Sequence, residues 1–403
     1  MQVGIIGAGL SGLACAVELE KNGVDVTVFE KTNQAGGRVK TDDFEGFKLD
    51  HGFQVYLSSY EAGEYYFEYK ELQLGSFSPG AHIFDGQKMS LMSDPLRKPA
   101  DLFKTLFNPN ATLGDKLLIL KLKKMAVETK DVKLEINNQT TLEFLTKFGF
   151  SKKIIKNFFK PFFSGVFLES ELKTPAGYFL YLFGRFSLGK ASLPKNGMQE
   201  LAIQMQRKLK KKIIFSHEAI KVTKNEIMFH DENKYNFDYV VMATDVTGLK
   251  NFGLENEKQW NSVTTSYFKT KSNQLASKYL YLNAKDNKIV NHVACLTAAQ
   301  PAYAPEGWHL YSVNCVGQNL SSDNDVIKVI VDLKKIFGET EINKWDFIKS
   351  YYIKDALPTK TQFGGSVVNK NGIYYCGDHL ESASIQGALV SGYKLANIII
   401  RLR

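Results

Sequence analysis

Cysteine is scarce in this chain, with four in 403 residues. Cys15, Cys295, Cys315 and Cys376 stand apart from one another in apolar settings, with no C-x-x-C pair and no metal-ligand spacing. That argues against a disulfide-stapled secreted scaffold and against a metal centre. It suits buried, reduced thiols in a reducing, cytoplasmic compartment. Long apolar runs are also missing. No stretch of about 20 apolar residues occurs, so no membrane-spanning helix is expected, and peripheral membrane contact is left open. Repeats and low-complexity segments are absent. The first strand is expected from Gln2, which leaves no room for a targeting segment.

What is present is a globular composition, 44% apolar and 23% charged. A chain this long exceeds one ordinary core, so two domains or one domain with large insertions are expected. Lys and Arg outnumber Asp and Glu by nine. That balance favours an anionic partner such as a diphosphate cofactor or an anionic lipid surface. The basic residues are spread along the chain, apart from Arg207 to Lys212 and Lys121 to Lys124, and nucleic acid is not expected as a partner.

The chain opens with VGIIGAGLSG. Val3, Ile5 and Ile6 make a short apolar strand bounded by Gly7. Gly7, Gly9 and Gly12 then form G-x-G-x-x-G. The first glycine allows the tight turn, the second lets phosphate approach the backbone, and the third lets helix and strand pack closely. A helix is expected over Ser11 to Asn22, its N-terminal N–H groups facing a diphosphate. Asp25 to Glu30 reads as the second strand, with Glu30 placed to accept both ribose hydroxyls. NAD and FAD fit this turn equally well.

A second signature follows in GGRVKTDDFEGFKLDHGFQVY. Gly36 and Gly37 again bring backbone close to phosphate, and Arg38 adds a permanent charge with a planar donor fork. Glu30, Gly36-Gly37-Arg38 and Asp50-His51-Gly52 together resemble the flavin amine oxidase superfamily, which includes amine oxidases, protoporphyrinogen oxidases and phytoene-type carotenoid desaturases. The likeness continues in LPKNGMQELAIQM, in KKIIFSHEAIKVT, in FDYVVMATD, which ends at Asp245, and in GIYYCGDHLESASIQGALVSGYKLANIII.

The resemblance implies an α/β fold: a discontinuous Rossmann-like FAD domain of the GR2 type with an inserted α+β substrate domain. The FAD domain would take 1–75, 195–250 and 365–403, and the substrate domain 76–194 and 251–364. Cofactor contacts would come from Gly7, Ala8, Gly9, Leu10, Ser11 and Gly12, then Glu30 and Lys31, then Gly36, Gly37 and Arg38. Gly52, Phe53, Gln54, Ala219 and Ala243 would follow. At the far end, Gly377 and Asp378 would meet the ribityl or diphosphate portion. Ile385, Gln386 and Gly387 would open a helix, capped near Ser384, whose dipole faces the flavin pyrimidine.

Inside the insertions, Thr112 and Asp115 form a capping box. The helix behind it carries Leu113, Leu117, Leu118, Leu120, Leu122 and Met125 on most sides and is expected to be buried. The Phe-rich block from Ile154 to Glu169 is expected to be core with a turn at Pro161, or else a tunnel lining or membrane-facing patch. Strand-like runs KYLYLNA and WHLYSVNCV suggest a sheet flooring a pocket.

The implied reaction is hydride transfer from a large apolar substrate, carotenoid-like or porphyrinogen-like, to flavin N5. An amine oxidase and a non-catalytic flavin scaffold are the alternatives, and the second glycine turn and Gly377-Asp378 argue against an NAD-only dehydrogenase. Amine oxidases of this family often place a lysine near N5. Thr265 falls at that position, and Lys269 is four residues out of register. Cys376 precedes Gly377-Asp378, where it does not match a flavin-anchoring cysteine. His51, His292 and His379 read as structural hydrogen-bonders, Tyr56 and Tyr60 as pocket or core, and no catalytic side chain is assigned.

Overall fold

The computed structural model describes residues 1–94, 96–129, 138–244, 260–359 and 368–403. Its first sheet gathers strands from the two ends and the middle of the chain. Gln2–Ile6 lies parallel to Asp25–Phe29 on one side and to Tyr239–Met242 on the other. Ile373–Tyr375 continues the parallel order, and Val368–Lys370 closes the edge antiparallel. Strands buried on both faces need near-continuous apolar runs, and Val3, Ile5, Val240 and Val241 are fully buried.

Two helices cover one face. Leu10–Lys21 follows the first strand, and Ile385–Arg401 follows the last. They pack closely at Gly392, where a Cβ would stand 2.1 Å from the Ser11 carbonyl oxygen. On the other face lies a small antiparallel sheet of Ala219–Val222, Glu226–Phe229 and Lys234–Asn236. Phe29 meets Phe229 and Tyr235 there, with ring centroids 4.6 and 5.2 Å apart. Of the strand pair expected in KKIIFSHEAIKVT, Ile214 makes only an isolated bridge to Phe29.

The second large sheet has seven strands, in the order Asp346–Pro358, Trp260–Thr270, His309–Val316, His292–Cys295, Leu280–Asn283, Gly80–Phe84, Met89–Ser93. Both insertions feed this one sheet. They join where Gly80–Phe84 pairs in parallel with Leu280–Asn283. The strands expected in KYLYLNA and WHLYSVNCV are its members. Asp323–Phe337 packs behind it through Val326, Val329 and Leu333.

A helical layer stands over the other side: Leu113–Val127, Thr141–Phe148, the stretch from Lys152 to Phe167, and Ala176–Leu188. The capping box of Thr112 and Asp115 is formed. Two expectations fail here. Leu113, Leu117 and Leu120 are exposed, so the helix behind that box is not a buried one. Nor does the chain turn at Pro161. It passes through Ile155–Phe159 as a π-helical segment and continues as α-helix Lys160–Phe167. Proline is tolerated there because the π-helical turn before it breaks the i→i−4 ladder in which its N–H would have been needed. Asp245 and the boundaries near 250 and 365 lie outside the described residues.

Candidate functional site

The two glycine turns are pressed together. Gly9 bridges Gly36, and the Gly36 N–H donates to the Ala8 carbonyl at 2.9 Å. Gly7 has φ +105°, and a Cβ on it would stand 2.6 Å from the Ala243 oxygen, so both backbone and space require glycine. A Cβ on Gly12 would stand 2.1 Å from the Gly7 oxygen, which is the close helix–strand packing expected of the third glycine. Gly9 differs, because a Cβ there meets nothing within 4 Å. It faces open space instead, in a cavity of about 820 Å³.

That cavity is continuous from the glycine turns to the Phe-rich helix. Of the residues expected to touch cofactor, Gly7, Gly9, Leu10, Ser11, Glu30, Lys31, Gly36, Gly37, Arg38, Gly52, Phe53 and Gln54 line it, as do Ala219, Ala243, Gly377, Asp378 and Ile385. Four do not. Ala8 is buried behind its turn, and its N–H donates to Glu30. Gly12 packs as described. Gln386 instead accepts from the Ala62 N–H at 3.0 Å, and Gly387 is held by Ser384, whose hydroxyl accepts its N–H at 3.0 Å. Gly387 is required for packing, since a Cβ would stand 1.9 Å from the Ser382 oxygen.

Glu30 is buried and fixed. One carboxylate oxygen accepts the Ala8 N–H, and the other accepts both the N–H and hydroxyl of Thr32, each at 2.9 Å. The oxygen bonded to Ala8 keeps a lone pair that can face a ribose hydroxyl, and the other has both of its lone pairs taken by Thr32. Arg38 ion-pairs with Asp378 and donates to the Ala356 oxygen at 3.1 Å. This pair ties the second glycine turn to the last strand's end. Gln54 donates to the Arg38 carbonyl at 2.8 Å. Thr244 also lines the cavity, and its buried hydroxyl has no hydrogen-bond partner among the described residues.

Asp50 lies outside the cavity and holds its wall. Its carboxylate accepts from the Thr41 hydroxyl, the Met198 N–H and the Tyr303 hydroxyl at 2.6, 3.0 and 2.9 Å. Burial raises its pKa to about 6 against those bonds. His51 sits 3.0 Å from Asp42 and packs on Tyr351, and burial lowers its pKa.

Where the seven-stranded sheet meets the cavity, His292 and Asn314 form part of the wall. Burial, with Lys288 nearby, drops the His292 pKa to about 3, so its ring is neutral. Neither residue's place was signalled by a motif, because each stands inside an ordinary strand. Thr265 is fully buried behind Asn314, donating to its side chain at 2.7 Å. Lys269 lies away from the cavity, over the rings of Phe47 and Trp308. Tyr60 lines the cavity and Tyr56 does not. All four cysteines are buried and free.

A glycine turn with its Cβ position open to a chamber, a buried strand-end carboxylate and a second glycine turn define an α/β oxidoreductase that encloses a dinucleotide cofactor. The chain belongs to the flavin containing amine oxidoreductases, whose family profile matches residues 10–400. Its cofactor is accordingly FAD. It is 36% identical over 126 residues to a 4,4'-diapophytoene desaturase of Staphylococcus haemolyticus, a match covering 28% of this chain and 24% of the desaturase. Two solved structures share the fold over the whole chain. A provisionally assigned protoporphyrinogen oxidase of Exiguobacterium sp. 255-15 has TM-score 0.74 at 16% identity, with 99% of it covered. A putrescine oxidase has TM-score 0.72 at 15% identity, also with 99% covered.

Proposed function

We propose that this FAD-dependent oxidoreductase dehydrogenates a large apolar substrate, polyene-like or porphyrinogen-like, with the division into FAD-binding segments 1–75, 195–250 and 365–403 and substrate segments 76–194 and 251–364. The observation that carries this reading is one continuous cavity, which runs from the glycine turns into walls made by Phe162, Phe163, Phe183 and Phe186. Bound flavin supplies the redox chemistry, accepting a hydride at N5.

The chain's part is to hold and orient. Glu30 would accept a ribose hydroxyl on its remaining lone pair. The N-terminus of Leu10–Lys21, with Gly9, Gly36 and Gly37 beside it, would face the diphosphate. Arg38 and Asp378 stand at the same wall, and the helix N-terminus capped by Ser384 would face the pyrimidine. Neutral His292 and the aromatic wall would present an apolar carbon to the ring without a fixed charge beside it. The partial match to a diapophytoene desaturase supports the same reading.

The test is anaerobic reduction of the bound flavin. An isoprenoid polyene or a porphyrinogen is expected to bleach its visible band, and mono- and diamines are not. Bleaching by amines alone would overturn the substrate class. Glu30→Ala is expected to weaken FAD retention by about 1.5–3 kcal/mol, the worth of hydrogen bonds to a charged acceptor. Unchanged flavin release from that variant would remove Glu30 from the cofactor site.

A further inference from the structure

Among the described residues, the cavity lining is also solvent-exposed in two places. One is polar, at Lys31, Thr32, Gly37 and Glu218, and the other comprises Leu102, Leu106, Leu120 and Lys190. A leucine that both lines a cavity and faces solvent marks a mouth, and three of them make an apolar one.

The surface around that mouth is apolar as well. Phe103 and Phe107, next to the rim leucines in sequence, are 72% and 77% exposed. Leu113 and Leu117 are 68% and 69% exposed, and with Leu120 they fall at i, i+4 and i+7 on one face of Leu113–Val127. The two segments adjoin, since the Lys116 ammonium donates to the Leu106 carbonyl. Large exposed side chains gathered this way, rather than scattered singly, mark an interaction site.

Charge selects the partner. Between Leu96 and Lys124 the sequence has seven Lys and Arg and two Asp. One of those acids, Asp115, is buried in its capping box, and the other, Asp101, accepts from the Tyr279 hydroxyl. Lys98, Lys121 and Lys124 are exposed, and Lys190 stands on the rim. Apolar side chains flanked by lysines are the pattern of a surface that seats in an anionic bilayer interface, with the rings below the headgroups and the ammonium groups among them.

We propose that residues 96–124 dock this protein on an anionic lipid bilayer, with the leucine-rimmed mouth opening towards the acyl chains. A substrate dissolved in the bilayer then enters the cavity without crossing water. The proposal rests on the apolar-substrate reading for its purpose only, because docking is scored without turnover.

The test is flotation of the flavin-loaded protein with phosphatidylcholine vesicles, with and without phosphatidylglycerol, at low and high salt. Wild type is expected to float with the anionic vesicles, less so at high salt, and weakly with the neutral ones. Phe103→Ser with Phe107→Ser should lower partitioning about tenfold or more while the unfolding midpoint and flavin content stay unchanged. Leu113→Ser with Leu117→Ser, on the other helix, should do the same independently. Wild type that ignores both vesicle types, or variants that float as well as wild type, would overturn the proposal. So would a wild-type dimer that both variants convert to monomer, since a second copy would then cover the patch.

Discussion

The two halves of one cavity are built by different means. Around the glycine turns the wall is largely main chain, with Gly9 open to whatever sits there, Gly36 and Gly37 shaping the second turn, and Glu30 and Arg38 each locked by partners. At the other end the wall is side chain. Phe163 stacks on Phe159, lies tilted against Phe167 and meets Phe179 edge-to-face, and residues far apart in sequence meet on one sheet. A main-chain wall recognises groups common to every nucleotide cofactor. A side-chain wall can change its occupant by changing a few residues, which is why one fold carries many substrates.

Three substitutions separate the halves. The largest effect is expected from Gly9→Val. Its Cβ would point into the cavity clear of protein, so the unfolding midpoint should match that of flavin-free wild type while flavin occupancy falls to nothing. A variant that unfolds, or that keeps its flavin, breaks the contrast. Phe163→Ala should do the converse. Deleting a fully buried ring leaves a cavity and costs about 3–5 kcal/mol in urea unfolding, and the folded fraction should still carry stoichiometric FAD. Flavin loss from the folded fraction would mean that the two walls are one unit.

The smallest effect is in pH dependence. His292 has its pKa lowered from 6.5 to about 3, so its contribution to stability is present above about 6.5 and is lost as pH falls. Asp50 has its pKa raised from 3.8 to about 6, so its contribution is present at low pH and is lost as pH rises through 6. From pH 7 to pH 5 the first removes about 2 kcal/mol and the second restores about 1 kcal/mol. Relative to wild type, His292→Gln should therefore lose less stability on acidification, and Asp50→Asn should lose more. Parallel curves for all three proteins would mean that neither group titrates as its burial implies.

How much was legible in the sequence follows the same division. The opening turn, the capping box at Thr112 and the helix beginning after Ser384 are local patterns, fixed by a few consecutive residues whose backbone demands are strong. Their placement was readable. The exposed face of Leu113–Val127 was not, because an apolar stripe looks the same whether it meets a core or a bilayer. Pro161 misled because a π-helical segment just before it relieves the i→i−4 ladder that a helix-interior proline would break. Gln386 was placed by its neighbours Ile385 and Gly387, but its side chain satisfies the Ala62 N–H on a different helix, a contact 324 residues away in sequence. Pairing between Gly80–Phe84 and Leu280–Asn283 is set by tertiary packing, which no local pattern announces.

The first strand, Gln2–Ile6, is made more than 200 residues before Tyr239–Met242, one of its two neighbours, and the helix that packs on Leu10–Lys21 begins only at Ile385. N-terminal segments usually fold first as they are synthesised. This one gains Asp25–Phe29 at once but must wait for its other neighbour. The sheet therefore stays incomplete until Tyr239–Met242 has followed, and the cofactor chamber is complete only once Ile385–Arg401 is made. For a cell making this protein, the hazard lies in that delay, when a β-strand edge and an apolar helix face stand open to chaperones and to other chains.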